Sequence, residues 1–413
     1  MDRVILHCDL NNFFVSASCR ERDDLRNVPV TVCGDVSQRH GIVLAKNQLA
    51  KRAGVKTGQP IWQAAQLCPG MVTLAPDYQL YMQLSKTVRG IYERYTGQIE
   101  PFGIDECWLD ITPFRLRTGF AESTANEIRE TVKKETRLTI SVGVSWNKIF
   151  AKMGSDYKKP DAVTVIDRDN YRRILWPLPA GDLLCIGRAT RARLEKAGIV
   201  TIGDVACAPT MLLKALLGQN GLMLHMFATG MDDSPVKTVD HESTVKGIGN
   251  SMTTVRDLTT ESEVHEAFLI LADMVASRAR KKGLQGKTIC IWLRDNTLES
   301  LTRQAVLPRP TYISDEITQC AMKLYYANWD AQARPIRAIG VRITMLSPIE
   351  KYTQLNFFDM RRQKLQSLEF AKDDILRRFG PEALTRASLL RPQVVERHAK
   401  ELHEVHPISY FQK

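Results

Sequence analysis

Three acidic residues stand where a solvated carboxylate is hard to explain. Asp9 closes the apolar run RVILHCDL (3–10), and Asp105 with Glu106 opens another, CWLDIT (107–112), within GIDECWLD (103–110). Neighbouring strand residues point to opposite faces, so this pair converges only where the backbone turns. Gly103 supplies a turn between QIEPF (98–102) and the second run. Oxygen ligands with no histidine or cysteine at metal spacing suit Mg²⁺ or Mn²⁺ rather than zinc. Two such ions ~3.5–4 Å apart would clamp an in-line phosphoryl displacement, one on the attacking oxygen and one on the leaving oxygen. The rest of a polyphosphate needs cations. Lys51, in KNQLAKRAG (46–54), and Lys159, in the KKP turn, are the candidates, with Arg52 and Lys158 beside them. The plainer readings are a hairpin tip with two exposed acids and, for Asp9, a helix N-cap.

The elements that must position these residues can be read in order. RVILHCDL is apolar on both faces, as a central strand is, and Asn11 and Asn12 open a short helix, NNFFVSASCRE. An acid at a central strand end, beside a helix N-terminus, stands where α/β folds hold cations and phosphates. VPVTVCG (28–34) and GIVLA (41–45) read as two strands, followed by the basic helix 46–54 and a helix introduced by Pro60. From residue 81 the order is helix, hairpin, helix, strand, helix, strand, which with the first strand makes a split βαβ sheet carrying the 28–78 module as an insertion. If the hairpin pairs beside the first strand, all three acids meet at one edge.

Residues 168–232 read as short helices. LLCIGRATRARLEKAGIVTIGDVA (183–206), with Gly187 and Gly198 bracketing a helix, fits either a helix–hairpin–helix that offers amides to a nucleic-acid phosphate or an ordinary αα-hairpin. The stretch 229–243 lacks periodicity and reads as a linker. Beyond it a βαββαβ order forms a second α/β domain with one sheet face free for a ligand. EKYTQLNFFDM (350–360) then sets an apolar knob between charged flanks, and a helix follows.

A chain of 413 residues predicts two to four domains. Its net charge of +11 points to an anionic partner. The nine cysteines are scattered without CxxC or zinc spacing, as expected of reduced cytosolic thiols. No apolar run approaches the ~20 residues of a membrane span, and MDRVILHCDL lacks the form of a signal peptide, so a cytoplasmic protein without membrane contact is expected. Three function classes remain: two-metal nucleotidyl transfer, a metal-dependent nuclease or phosphatase, and a non-catalytic DNA-binding subunit. The inserted module and the second domain favour a polymerase, because a hydrolase needs neither a lid over a base pair nor an extra clamp on a duplex.

Five stretches carry a specific likeness: DLNNFF (9–14), LAKNQLAKRAGVKTGQPI (44–61), GIDECWLD (103–110), GVSWNKIFAKMGSDYKKP (143–160) and IGRATRARLEKAGIVTIGDVA (186–206). In them the chain resembles the Y-family, or translesion, DNA polymerases, in the bacterial branch of polymerase IV and the polymerase V catalytic subunit. The resemblance implies an α+β multidomain right-hand polymerase. Its split-βαβ palm would span 1–10 and 79–167, small fingers 11–78, a helical thumb 168–232, a linker 233–245, a βαββαβ little finger 246–348 and a tail 349–413. Asp9, Asp105 and Glu106 fall on the catalytic acids for two Mg²⁺ ions, with the Leu10 carbonyl as a further ligand. The amides of Asn11, Asn12, Phe13 and Phe14 would cradle the triphosphate, joined by Asn47, Lys51 and Lys159, and Phe14 falls on the steric gate that excludes a 2′-hydroxyl.

The chain departs from the family at Gln48, where many members carry Tyr, and at Lys51, where many carry Arg; a lysine offers a point charge instead of a bidentate fork. QLNFF (354–358) resembles a clamp-binding pentapeptide, with Gln354 for a polar pocket and Leu355, Phe357 and Phe358 for an apolar one. The expected activity is low-fidelity, template-directed synthesis past damaged bases, on primer-template DNA and deoxynucleoside triphosphates, by a monomer that binds a sliding clamp. Expected contacts to the DNA backbone are Lys148, Lys152, Gly187, Arg256, Arg278, Arg280, Lys282 and Lys287, which makes binding salt-sensitive.

Overall fold

The computed structural model describes residues 2–35, 41–114, 121–241, 244–349, 360–380 and 383–389, so the QLNFF segment lies outside the described residues. Strand β1 (Ile5–Leu10) is buried along its whole length, as a central strand is, with His7 and Asp9 among its apolar residues. β6 (Glu106–Asp110) pairs with it on one side and β7 (Ile140–Ser145) on the other, both antiparallel. With β5 (Ile99–Pro101) and β8 (Val163–Val165) the sheet order is β5-β6-β1-β7-β8.

Alternation sorts this sheet into two chemically different faces. Leu6, Cys8 and Leu10, with Cys107 and Leu109, pack among the apolar residues of helices Tyr78–Tyr92 and Ala121–Thr136. In the second of these, Ala125, Ile128, Val132 and Thr136 form one buried stripe at helical spacing. His7, Asp9, Glu106 and Trp108 occupy the opposite face. There helix Lys148–Tyr157 lies against the sheet, capped by Asn147, which accepts from the Phe150 amide at 2.8 Å. A Cβ on Gly143 would stand 1.8 Å from the Ala151 carbonyl, so only glycine lets this helix approach so closely.

A three-stranded sheet of order β3-β2-β4 follows β1 in sequence: β2 (Val30–Cys33), β3 (Val43–Lys46) and β4 (Val72–Leu74). β4, parallel to β2, is absent from the sequence reading because three residues are too few to show alternation. Five short helices between Tyr171 and Ala228 pack Leu175, Leu194, Ile202, Leu213 and Phe227 into one core with Trp146, Ile149 and Phe150.

The expected linker needs correction in its first half. Arg3 donates to the Ser234 carbonyl at 2.9 Å, Val236 is 3% exposed, and the Lys237 amide donates to Glu100 Oε2 at 3.1 Å. The Val239 amide donates to the Gly97 carbonyl at 3.1 Å. This strap shows no periodicity because most of its attachment is through backbone groups.

The second compact unit, from residue 244, has the expected βαββαβ order. β9 (Gly247–Leu258), β10 (Leu284–Asp295), β11 (Ser300–Thr311) and β12 (Ile336–Pro348) form an antiparallel sheet of order β11-β10-β12-β9. Ile289, Ile291 and Leu293 share a core with helices Glu261–Lys281 and Ser314–Asn328, which leaves Cys290, Trp292 and Arg294 on the open face. Helix Met360–Phe379 docks on the unit through ion pairs: Arg280 with Glu369 (2.9 Å) and Asp373 (2.6 Å), Lys372 with Asp273 (2.6 Å), and Arg362 with Glu316 (2.8 Å).

Candidate active site

The β1–β6 register sets Asp9 opposite Glu106. The Leu10 amide donates to the Asp105 carbonyl at 3.0 Å, so Leu10 and Asp105 form a hydrogen-bonded pair. The adjoining Asp9–Glu106 pair is therefore the narrow kind, whose Cβ atoms lie about 4.5–5.5 Å apart. The hairpin tip is tied down from helix Tyr78–Tyr92. Arg89 donates to the Gly103 carbonyl at 2.8 Å, and the Ser85 hydroxyl donates to the Ile104 carbonyl. Gly103 takes φ 94°, which explains why glycine stands at this turn.

Crowding shows in the protonation of the acids. Burial, followed by the charges of Asp9 and Glu106, raises Asp105 to about 7. Burial, followed by Glu106, raises Asp9 to about 6. Two lysines offset this repulsion. Lys159 Nζ donates to Asp9 Oδ2 at 2.6 Å and pairs with Asp156 at 2.7 Å; burial opposes its charge, yet the two carboxylates hold its pKa above the ordinary lysine value. Lys152 Nζ donates to Glu106 Oε2. Each lysine thus engages one oxygen of its carboxylate and leaves the other.

Fully buried His7 stands behind Glu106, its Nε2 3.3 Å from Oε2, and burial drives its pKa well below the usual histidine range. Ser155 spends its only proton on the Lys152 carbonyl at 2.7 Å, so the 2.8 Å bond between Ser155 Oγ and His7 Nδ1 is donated by Nδ1. That tautomer turns a bare Nε2 toward Glu106, and this atom finds no hydrogen-bond donor.

An oxygen-only donor set whose members raise one another's pKa fits a divalent cation, which would relieve the repulsion. Among the described residues, no three carboxylate, imidazole or thiol groups stand arranged as a finished metal cage. Lysine ammonium groups occupy two of the acids.

Beside the acids, Asn12 takes the left-handed conformation (φ 49°, ψ 43°) that turns β1 into the helix Phe13–Ser18. The Phe14 ring stacks on Tyr81 with centroids 4.4 Å apart and planes at 7°, and meets the edge of Tyr78 at 5.9 Å. Tyr81 is held by Ser18 through a 2.7 Å hydroxyl contact. Both tyrosines escaped the sequence reading, although they sit three residues apart on one helix face.

Several expected contacts are corrected. The Asn11 amide donates to the Thr139 carbonyl at 2.9 Å and its side chain bonds Thr139 and Ser141, so Asn11 braces β1 to β7 rather than facing a phosphate. Asn47 caps helix Gln48–Arg52 by accepting from Ala50 (3.0 Å) and donates to the Val28 carbonyl (2.7 Å), which occupies its amide within the fold. Lys148, 3% exposed, pairs with Glu100 at 2.7 Å under the Trp108 ring and is no surface cation. Lys152 is committed to Glu106, Arg280 to Glu369 and Asp373, and Arg278 donates to the Gly249 carbonyl. Arg256 is exposed and pairs with Glu263 at 2.5 Å. Lys51 and Lys282 are exposed, Lys287 is half-buried, and Gly187 sits at the N-cap of helix Arg188–Lys196. Arg294 and Arg342 lie on the open face of the second sheet and were missed; strand parity marks them, since they alternate with Ile291, Leu293, Val341 and Ile343.

The impB/mucB/samB family model matches residues 8–156, and the model of that family's C-terminal domain matches residues 245–357. The chain is 45% identical over 399 residues to a DNA polymerase IV of Acetivibrio thermocellus, covering 96% of this chain and 100% of that one. It is 33% identical over 395 residues to DNA polymerase IV 1 of Bacillus subtilis, covering 95% and 94%. A solved Y-family DNA polymerase chimera matches with TM-score 0.72 at 21% identity, over 83% of this chain and 98% of that one, a likeness of fold.

Proposed function

The chain belongs to the Y-family of DNA polymerases, and from that premise we propose how its parts perform template-directed DNA synthesis past damaged bases. The enzyme is a DNA-directed DNA polymerase acting on primer-template DNA and nucleotides. In our reading the β5-β6-β1-β7-β8 sheet and its helices are the palm, the β3-β2-β4 module the fingers, the helices between Tyr171 and Ala228 the thumb, and the second unit's sheet domain the little finger. The observation that carries the reading is the Asp9–Glu106 pair on adjacent central strands beside Asp105, with one oxygen of each paired acid left over by its lysine.

Divalent cations, which we take as two Mg²⁺ ions, would supply Lewis-acid stabilisation of the attacking and leaving oxygens when held by Asp9, Asp105, Glu106 and the Leu10 carbonyl. The chain's own residues do the rest. The amides of Asn12, Phe13 and Phe14 open a helix whose first donors lack intrahelical partners, and they are available to a triphosphate. Lys159 lies between Asp9 and Asp156, so it can turn toward a phosphate while Asp156 retains it. Phe14, fixed against Tyr81, is the floor under the sugar. Arg256, Lys282 and Lys287, joined by Arg294 and Arg342, meet the DNA backbone, and the Gly187 helix start meets a further phosphate. QLNFF engages a sliding clamp, and the enzyme works as a cytoplasmic monomer. No helix among the described residues is long and apolar enough to cross a membrane.

Primer extension by the purified chain tests the assignment. Asp105→Ala and Glu106→Ala should each abolish extension. Full extension by the double variant would sink the reading, and degradation of DNA without added nucleotides would replace it with a nuclease.

A further inference from the structure

Glu106 is gripped by one oxygen. Lys152 Nζ donates to Oε2 and His7 Nε2 stands 3.3 Å from the same atom; among the described residues the carboxylate's contacts fall on Oε2. Both neighbours of Oε2 are themselves fixed. The Lys152 ammonium lies 5.2 Å over the Phe102 ring, and its side chain is 14% exposed. His7 is fully buried, edge-on to Trp108 with centroids 5.2 Å apart, and bonded through Nδ1 to Ser155. Ser155 in turn donates to the Lys152 carbonyl. One turn of helix Lys148–Tyr157 therefore fixes both neighbours of Oε2, Lys152 on the helix itself and the His7 ring through Ser155.

We propose that Lys152 is the positioning residue of Glu106, its ammonium holding Oε2 against the buried His7 ring as a fixed wall, so that Oε1 is the oxygen offered to the reaction. The inference rests on the polymerase reading above. Without its grip, a glutamate has three rotatable bonds by which to leave the productive arrangement, and its charge turns against Asp9 and Asp105. A misplacement of ~1 Å at a reacting group costs about 100-fold in rate. The nucleotide contacts of Lys159 and Phe14 involve neither Lys152 nor His7. Loss of the grip should therefore fall on kcat and spare the KM for nucleotide.

The test is single-nucleotide primer extension by the full chain, comparing wild type, Lys152→Met, Lys152→Arg, His7→Gln and His7→Asn, with Lys159→Met as the nucleotide-binding reference. Lys152→Met should lower kcat by about 10–100-fold with KM within about threefold, and Lys152→Arg should recover most of the loss. His7→Gln, whose amide reaches the Nε2 position, should retain more activity than His7→Asn, which reaches only Ser155. Melting in chelator supplies a reading free of metal and of catalysis: Lys152→Met should lower Tm, and Glu106→Gln in that background should restore most of it. The proposal is overturned if Lys152→Met keeps kcat within about twofold, if its defect is a KM rise like that of Lys159→Met, or if the two melting shifts simply add. Should Lys152→Met fail to fold, equal activity of the two His7 variants overturns it. A wild-type chain that fails to extend a primer refutes the polymerase reading itself; an active wild type with an equally active Lys152→Met refutes this inference alone.

Discussion

Arg280→Met separates two incompatible roles for one cation. Arg280 lies in a basic run at a helix end, where sequence suggests a phosphate contact. In the fold its guanidinium bonds Asp373 at 2.6 and 2.9 Å and the Tyr312 carbonyl at 2.7 Å, and pairs with Glu369 at 2.9 Å, with its side chain 2% exposed. Glu369 is itself 5% exposed and accepts from the Ser314 amide. Removing one partner of a buried pair costs about 3–5 kcal/mol because the other charge stays behind, against ~0–1 kcal/mol for an exposed pair. The lower bound, about 3 kcal/mol, corresponds to a roughly 150-fold larger opening equilibrium constant. Hydrogen exchange of peptides from 360–380 reads that opening locally, which suits a two-unit chain whose global unfolding need not be two-state. Protection there should fall by about two orders of magnitude, and Asp373→Asn in the same background should recover part of it. Unchanged protection, with a salt slope of DNA binding reduced by about one, would show instead that Arg280 meets a phosphate and that the ion-pair account is wrong.

The gate and the tail yield two further expectations. Phe14→Ala should admit ribonucleotides in primer extension, and Tyr81→Leu should do so more weakly, because it removes the surface on which Phe14 stacks without removing the ring; unchanged discrimination in both would assign the gate elsewhere. At Asp273 burial raises the pKa, but Lys372 and Arg386 override it and hold the carboxyl below its ordinary value of 3.8. A depressed folded-state pKa contributes stability that is present above the unfolded value and lost as pH falls through the folded one. Exchange protection of helix Met360–Phe379 should thus be flat from about pH 5 to 8 and drop in acid, a drop that Asp273→Asn removes.

What the sequence made legible was what burial writes into composition. A run apolar on both faces announced β1 as central, and helical spacing announced the helix read from residue 81. The acids stood out because they interrupt apolar runs. The cations share one cause of misreading. Lys148, Lys152 and Arg280 read as surface cations because their partners, Glu100, Glu106, Glu369 and Asp373, lie far away in sequence or in another element. Asn11 and Asn47 read as ligand contacts by their place in the motifs, whereas side-chain amides commonly brace loops and cap helices. The strap at 231–239 carried no pattern to read, since backbone bonds leave no trace in side-chain spacing. Arg294 and Arg342 are readable by parity alone, since strand alternation sorts cations as it sorts apolar residues.

The lysines of helix Lys148–Tyr157 show how a basic pattern can serve the interior. Lys148, Lys152 and Ser155 stand four and then three residues apart, one face of a helix, and Lys159 continues the stripe just past its end. Four helical residues advance about 6 Å, close to the ~6.7 Å between alternate residues of a strand. The two periods therefore run in step across the helix–sheet contact. Trp108 donates to the Lys148 carbonyl at 2.8 Å, and two strand residues earlier Glu106 receives Lys152. On the neighbouring strand His7 meets Ser155, and two residues later Asp9 receives Lys159. Each helix step delivers one polar group to one strand position. A one-residue slip of the helix would turn the stripe by about 100° and strip both acids of their counter-charges together. The close approach that Gly143 permits brings the helix backbone hard against the sheet on this face, so the register that packs the helix is also the register that presents the carboxylates.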